Sequence, residues 1–481
     1  PNYKEYIELP EYINTIKLLE KGIAVHHSGI APVLREMVEI IFAKGYVKLL
    51  FATETFAVGI NMPTKTVIFT GFSKFDGNGM RILHAHEYTQ MAGRAGRRGL
   101  DTIGHVIHCV NMFDMPYMND YKQMMNGKPQ LFTSKFKISY NIILNIISEY
   151  IEEDCCIVNE KVIEHVENSM MFCDIKAELN AIEKTIKEMK QDVESETNYK
   201  TNKTTMEDYI NCKREVGGLN NKKRKRMEQH IKQIEEENKY IENDYQIYLE
   251  REKYLDKIKK EEAYKVTLTD YIKIQVENVI NVLKQTQFIG ELDNKYILTL
   301  KGQCGMKIQE THSLVMIDLL KQFADFKEFT IEEIISLMSC FTSLTIKDKY
   351  KVFQPNNVHS GHLESAAKHI EQLFYKYSHL EQVNKMDTGS EWEFNYDIMN
   401  TMIEWCSATT EFECKKIIQG LQINKEVFLG EFVKSLIKIT NVIREIKQVA
   451  SLSCNVELEN KLEKCNDKIL KYVITTQSLY V

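Results

Sequence analysis

Residues 90–101, QMAGRAGRRGLD, set three arginines within five positions, spaced by glycine and alanine. A guanidinium is permanently charged and planar, and its fork of donors matches the oxygens of a phosphate group. Gly93, Gly96 and Gly99 remove the side chains between the arginines. The backbone can therefore press against another surface while the charged groups reach past it. A solvated charge cluster is the simpler reading of a basic run, but it gives no reason for the regular glycines. The stretch reads as a phosphate-facing element.

The elements that must position it follow from the first hundred residues. GIAVHHSG predicts a short buried strand ending in a small-residue loop, and PVLREMVEIIFAKG an amphipathic helix stopped at Gly45. YVKLLFAT and TKTVIFTG are further apolar strands. Strands and helices alternating at this pace predict a parallel sheet covered by helices, with functional residues gathered at the carboxyl ends of the strands. HHSG and TETFAVGINMP occupy those ends.

Composition limits the alternatives. The 481 residues allow about three domains at ~150 residues each. A net charge of −6 excludes a polycation, so contact with nucleic acid must come from local patches. No apolar run reaches the ~18–20 residues of a membrane span, and the first residues lack a signal-peptide pattern, so no membrane partner is expected. Eleven scattered cysteines without a CxxC pair point to reduced thiols in an intracellular setting, nuclear or cytoplasmic, with Cys155-Cys156 structural. His359, His362 and His369 lack cysteine partners at finger spacing, and no metal is expected there. The chain opens on Pro1 and reads as a piece of a longer or processed protein.

LLFATETFAVGINMP followed by QMAGRAGRRGLD resembles motifs V and VI of superfamily 2 helicases, and AVHHSG resembles the motif between the fourth and fifth. The wording is similar to that of the Ski-like, exosome-associated and superkiller DExH RNA helicases. The resemblance implies ATP bound between two RecA-like domains, of which this chain holds the second. It implies Arg94 and Arg97 as catalytic arginine fingers, with Gln90, Gly93 and Gly59 also on the nucleotide side. Cations at that position stabilise charge developing on a transferring phosphoryl group. Arg98 is open between this role and a surface pair, and Asp101 is expected at most to orient neighbours. On the RNA side the resemblance implies His27, Ser28, Gly29, Thr53, Glu54 and Thr55, which offer hydroxyls and backbone amides to sugar and phosphate without reading bases. For His26 and His27 a packed or capping role stays open. Nothing matches GxxxxGK[ST] or a DExH box. The fragment alone is therefore expected to be inactive, while the full-length protein hydrolyses ATP with Mg²⁺ held mostly by the missing first domain.

The remainder extends the resemblance. KFKISYNIILNIISEY is similar to the family's entry into a winged helix, with Asn141 and Asn145 facing polar neighbours. DYIKIQVENVINVLKQTQFIGELDNKYILTLKG suits its second half, a helix and two strands around Asp293-Asn294; Gln303 stands where the family has arginine. Between them, apolar residues recur at three and four within a Lys- and Glu-rich background, predicting two long helices, 175–194 and 221–260, with a turn near Gly217-Gly218. This is a bare helical arm, without the family's β-rich tip. Its Lys222–Arg226 run is either a solvated face, an RNA contact or a localisation signal. EEIISLMSCF and the chain's terminal segments resemble the C-terminal helical (DSHCT) domain. EFVKSLIKITNVIREIKQVA lies where that domain runs along exiting RNA, making Lys434, Lys438 and Arg444 candidate phosphate contacts. Trp405 is expected in the core.

The expected fold is α/β plus mainly α: a second RecA-like domain over 1–115, incomplete at its start; a winged helix over 116–172 and 266–308; a helical arm over 173–265; and a helical bundle over 309–481. The function implied is that of the C-terminal part of an ATP-dependent 3′–5′ RNA helicase acting on single-stranded 3′ overhangs in RNA processing or decay. Its implied partners are an exosome-like nuclease or adaptor proteins. A repair-type DNA helicase and a non-enzymatic RNA-binding scaffold remain as alternatives.

Overall fold

The computed structural model describes residues 4–54, 56, 64–75, 79–97, 99, 101–127, 136–195, 199–218, 220–344, 346–355, 359–390 and 392–474. The chain is mostly helical. Most of its described strands lie near the start, where Ile23–His26 pairs in parallel with Leu49–Ala52 across the helix Pro32–Ala43. A second parallel pair joins Thr66–Phe69 to His105–His108, and a hairpin joins Ser73–Phe75 to Met80–Ile82. The expected parallel pairing is present, but among the described residues it forms separate two-stranded sheets. Covering is also one-sided. Leu34 and Val38 of the intervening helix are buried, whereas Phe51 and Ile68 are half exposed on their strands.

Two boundaries differ from the sequence reading. Met124, on the helix Met118–Asn126, is buried with Phe69, Phe72, Leu83 and Tyr88, so the packing of the α/β unit runs past residue 115. At the other end, Tyr6 and Leu9 belong to the large C-terminal core rather than to the sheets. The Tyr6 hydroxyl donates to the Val473 carbonyl at 2.5 Å. Both differences come from apolar side chains whose burial partners lie far along the chain.

That large core is continuous. Ile143, Leu144 and Ile147 of the helix Tyr140–Glu149 meet Val276, Val279 and Leu283 at the end of the helix Ile241–Gln285. The same cluster runs through Leu314–Leu320 and Ile334–Met338 to the helix Leu429–Leu452. Ile289–Leu292 and Lys295–Leu298 form the expected hairpin. Asp293 and Asn294 turn it with φ of 49° and 59°, the left-handed conformation at both centres that suits the strand twist. Trp405 is fully buried and its indole N–H donates to Ile469 O at 3.1 Å, as a core residue.

Between residues 173 and 265 the expected two helices are four α-helices among the described residues: Met170–Ser195, Lys203–Glu215, Asn221–Glu237 and Ile241–Gln285. The predicted helix over 221–260 breaks at Asn238, whose side-chain amide caps Ile234 O. Asparagine competes with the helical backbone in this way. The 45-residue helix that follows then runs through position 265 without interruption. Ile182 and Ile186 pack on Ile258 between the outer two helices, and a separate small core holds Met206, Tyr209, Ile231 and Ile234. Lys222 to Arg226 are all exposed, and Arg224 pairs with Glu228 one turn on, the arrangement of a solvated helix face.

Candidate functional site

The arginine stretch begins on the helix Ala85–Ala92, which is fixed from both sides. Tyr88 stacks on Phe69 with ring centroids 5.1 Å apart, and its hydroxyl meets His108 Nε2 at 3.1 Å. At the helix N-terminus, the Glu87 carboxylate accepts from the His84 amide and from Arg81 at 2.7 and 2.8 Å. Those bonds, the Arg81 guanidinium first among them, hold the Glu87 carboxyl far below the usual carboxylate range. Lys74 joins this group to the strand-end loop, pairing with Glu87 at 3.1 Å and with Glu54 at 2.6 Å. Glu54 is thereby tied to the base of the helix that carries Gln90.

Past that helix Gly96 lets the backbone press closely against another segment, and that surface is internal. Ala95 bridges Thr64, with Thr64 N donating to Arg94 O at 2.8 Å and Gly96 N to Thr64 O at 2.7 Å. Gly96 has φ of +94°, and a Cβ there would stand 3.3 Å from Gly104 Cα. A Cβ on Gly104 would lie 2.5 Å from Ala95 O. The turn is thus pinned to the strand start at Thr66, and the Arg97 side chain is left outside.

Gln90 is exposed at the end of the helix, Gly93 caps it and is exposed, and Arg94 is half-buried. Arg97 is exposed and paired: Asp101 accepts from its Nε and Nη2, each at 2.8 Å. The surface pair considered for Arg98 is made by Arg97, and Asp101 orients it. Arg98, Thr55 and Gly59 lie outside the described residues.

The first loop behaves differently. His26 is buried, its Nε2 2.7 Å from Glu39, and belongs to the packing. His27 Nδ1 accepts from the Gly29 amide at 3.1 Å, and its ring meets Phe428 edge-on at 6.1 Å. Burial pushes the His27 imidazole below its ordinary range, with nearby His26 adding to the shift. The Gly29 amide, expected to face RNA, is therefore engaged by His27, and the Gly29 carbonyl accepts from Gly430 N at 3.0 Å. Ser28 is half-buried beside the same helix start, and Thr53 is exposed. The capping role open for His27 is the one its ring nitrogen performs.

Gly430 sits in the first turn of the helix Leu429–Leu452, where a Cβ would lie 2.6 Å from Ile30 O and 2.7 Å from Ser28 O. The loop and this helix touch through backbone. Along the helix, Lys434 and Arg444 are exposed, while Lys438 is half-buried and pairs with Glu310 at 2.6 Å. Arg444 donates to Asn441, which itself donates to Glu310 at 3.1 Å. Glu445 accepts from the amides of Gln309 and Glu310. One face of the helix is thus docked on residues 309–310, and Lys438 is committed to that contact rather than presented outward.

Beside Lys438 opens a cleft of about 370 Å³, lined by Tyr140, Asn141, Glu310, Thr311 and His312. Four of its polar atoms are buried without a hydrogen-bond partner: Tyr140 Oη, Asn141 Oδ1, Thr311 Oγ1 and His312 Nε2. The Tyr140 hydroxyl is near the Glu381 carboxylate without hydrogen-bonding geometry. Complete burial takes His312 down to about 3, so it is neutral, and its Nδ1 accepts from Val315 N. Sequence reasoning missed this cleft. Asn141 was legible only as a polar residue on an apolar helix, and its amide donates to Ile308 O.

Comparison with known proteins places these parts together. Residues 2–99 match the helicase conserved C-terminal domain, and residues 295–477 match the DSHCT (NUC185) domain, which begins ahead of the expected 309. The antiviral helicase SKI2 of Saccharomyces cerevisiae is 52% identical over 145 residues, 30% of this chain and 11% of that protein. Human superkiller complex protein 2 is 51% identical over 140 residues, 29% of this chain and 11% of that protein. The human exosome RNA helicase MTR4 is 46% identical over 140 residues, 29% of this chain and 13% of that protein. The alignments thus span only 11 to 13% of the length of these relatives. The two domain matches lie in order along one chain, and over about 30% of its length that chain is similar to RNA helicases named for the superkiller and exosome systems.

Proposed function

We propose that this chain supplies the second motor lobe, the RNA path and the C-terminal bundle of an ATP-dependent 3′–5′ RNA helicase of RNA processing or decay. The observation that carries the reading is Arg97, presented on the surface by a turn whose backbone is fixed at Thr64 and Gly104. Its fork fits a phosphate, because it already meets the two oxygens of a carboxylate through Nε and Nη2, the planar pattern a phosphate also offers. ATP, when bound, supplies the phosphoanhydride bond whose cleavage drives the motor. Arg97 and Arg94 contribute cations to that phosphate, and Gln90 closes the nucleotide side. Gly93 and Gly59 keep the approach free of side chains. Reaching the phosphate requires Arg97 to leave Asp101. In this reading the Mg²⁺ ligands lie mostly on the companion lobe with the phosphate-cradling loop.

RNA passes between the strand-end loops and the bundle in this reading. Thr53 and Ser28 contribute hydroxyls, Thr55 falls beside them in sequence, and Lys434 and Arg444 are the outward cations of the long helix. Glu54, His27 and Gly29 position the loops, and Lys438 holds the helix on Glu310. The helices Tyr140–Glu149 and Cys155–Glu167 with the Ile289–Leu298 hairpin act as the winged helix, and residues 173–265 as a short arm. Such phosphate and sugar contacts do not read bases, which suits a translocating motor. Two relatives are named for an exosome and for a superkiller complex. An exosome-like nuclease or adaptor in an intracellular setting is the corresponding partner proposed here.

Strand separation by the protein that joins this chain to its nucleotide-cradling lobe tests the substrate. Matched duplexes with RNA or DNA 3′ overhangs should give faster separation of RNA. Preference for DNA would overturn the assignment.

A further inference from the structure

A different constellation lies where the helices Lys203–Glu215 and Asn221–Glu237 pack on each other. Asp208 and Cys212 stand one turn apart on the first helix, so both project from one face. His230 comes from the second. Asp208 Oδ1 is 3.8 Å from Cys212 Sγ, and Asp208 Oδ2 is 2.9 Å from His230 Nε2. One donor atom from each of the three lies within 4.8 Å of the others. The thiol is buried, while the carboxylate and imidazole are exposed, so the group opens to solvent on one side. Behind it stand Met206, Tyr209, Ile231 and Ile234, the small core that these two helices share with Ile241.

A carboxylate, a thiol and an imidazole make the mixed donor set that zinc takes, at ~2.0–2.2 Å for oxygen, ~2.3 Å for sulfur and ~2.0–2.1 Å for nitrogen. Tetrahedral bonds of that length put neighbouring donors about 3.3–3.7 Å apart. The 3.8 Å separation of Cys212 Sγ from Asp208 Oδ1 is near this value, and side-chain rotation has to bring the remaining donor pairs, now within 4.8 Å, to the same spacing. Three protein ligands leave the fourth position to water, on the exposed side. Softer ligands such as thiolate also favour zinc over magnesium or calcium.

We propose that Asp208, Cys212 and His230 form a zinc site that staples the two helices. Coordination breaks the S–H bond of Cys212, whose proton passes to solvent. The His230 imidazole coordinates through Nε2 and keeps its proton on Nδ1, and the Asp208 carboxylate coordinates as the anion. The fold gives such a staple a purpose. The helices share a core separate from the main one, so a cross-helix ion adds a constraint that few apolar contacts provide there.

The test is a metal titration of the 481-residue protein, reduced and freed of metal by a chelator. Cobalt(II) added as the optical probe should bind at one equivalent with a thiolate-to-metal charge-transfer band, and zinc should displace it. Cys212→Ser should abolish the band, while Cys156→Ser, at an exposed thiol elsewhere, should leave it. Asp208→Asn and His230→Gln should each weaken zinc binding at least ~10-fold, the lower end of the cost of losing even an outer-shell partner. Circular dichroism checks that each variant keeps its helices. A readout on the unaltered protein complements the variants: zinc should slow alkylation of Cys212, measured by mass spectrometry. No one-equivalent thiolate band, a band that persists in Cys212→Ser, or unprotected Cys212 would each show a hydrogen-bonded triad without a metal role and overturn the proposal.

Discussion

Asp101 holds Arg97 through three hydrogen bonds at once, from the backbone amide at 3.0 Å and from Nε and Nη2 at 2.8 Å each. The arginine proposed to meet phosphate thus rests against a carboxylate four residues away, on the surface. The Arg97 guanidinium brings the Asp101 carboxyl down to about 2. A depressed carboxylate contributes stability that is present above its unfolded value and lost as pH falls toward the folded one. Carbon-detected NMR titration should find Asp101 titrating near 2 and returning toward ~3.9 in Arg97→Ala. An ordinary value in the unaltered protein would mean the pair is absent in solution.

Gly430 is where the helix Leu429–Leu452 receives the first strand-end loop. A methyl group there would meet two carbonyl oxygens at 2.6 and 2.7 Å, closer than a Cβ can approach without backbone movement. Gly430→Ala should therefore cost about 1–3 kcal/mol, as overpacking does. Urea unfolding measures it. An unchanged midpoint would show that the loop and helix do not press together.

Glu11 faces the start of the same helix, with Oε2 buried and unpartnered. Burial pushes its carboxyl up to about 7, against the opposing effect of the Leu429 amide. A raised carboxylate stabilises the fold below its unfolded value near 4.5, and that stability is lost as pH rises through 7. Glu11→Gln should match the unaltered protein at pH ~4 and exceed it by up to about 3 kcal/mol at pH ~8. Equal stability at both pH values would contradict this.

Legibility in the sequence followed the range of the interactions. The arginine stretch, the strands around it and the Asp293-Asn294 turn rest on local chemistry, and each was readable from spacing. The break at Asn238 was not, because the periodicity of Ile231, Ile234 and Ile241 continues across it and an asparagine ends a helix only where its side chain turns back on the backbone. Nor was the commitment of Lys438 to Glu310, 128 residues away, or of the Gly29 carbonyl to the distant Gly430 amide. On a sequence, an exposed cation and a paired one look alike. The cleft at His312 draws on residues from distant segments and has no motif.

RNA-stimulated ATP hydrolysis by the protein that carries this chain with its nucleotide-cradling lobe, compared with its Arg97→Ala variant, tests the central claim most directly. Loss of a phosphate-facing arginine should lower turnover at least ~100-fold, toward the ~10³–10⁵ range of such groups, and leave RNA affinity largely intact. Turnover close to normal would contradict the assignment of Arg97 to the nucleotide.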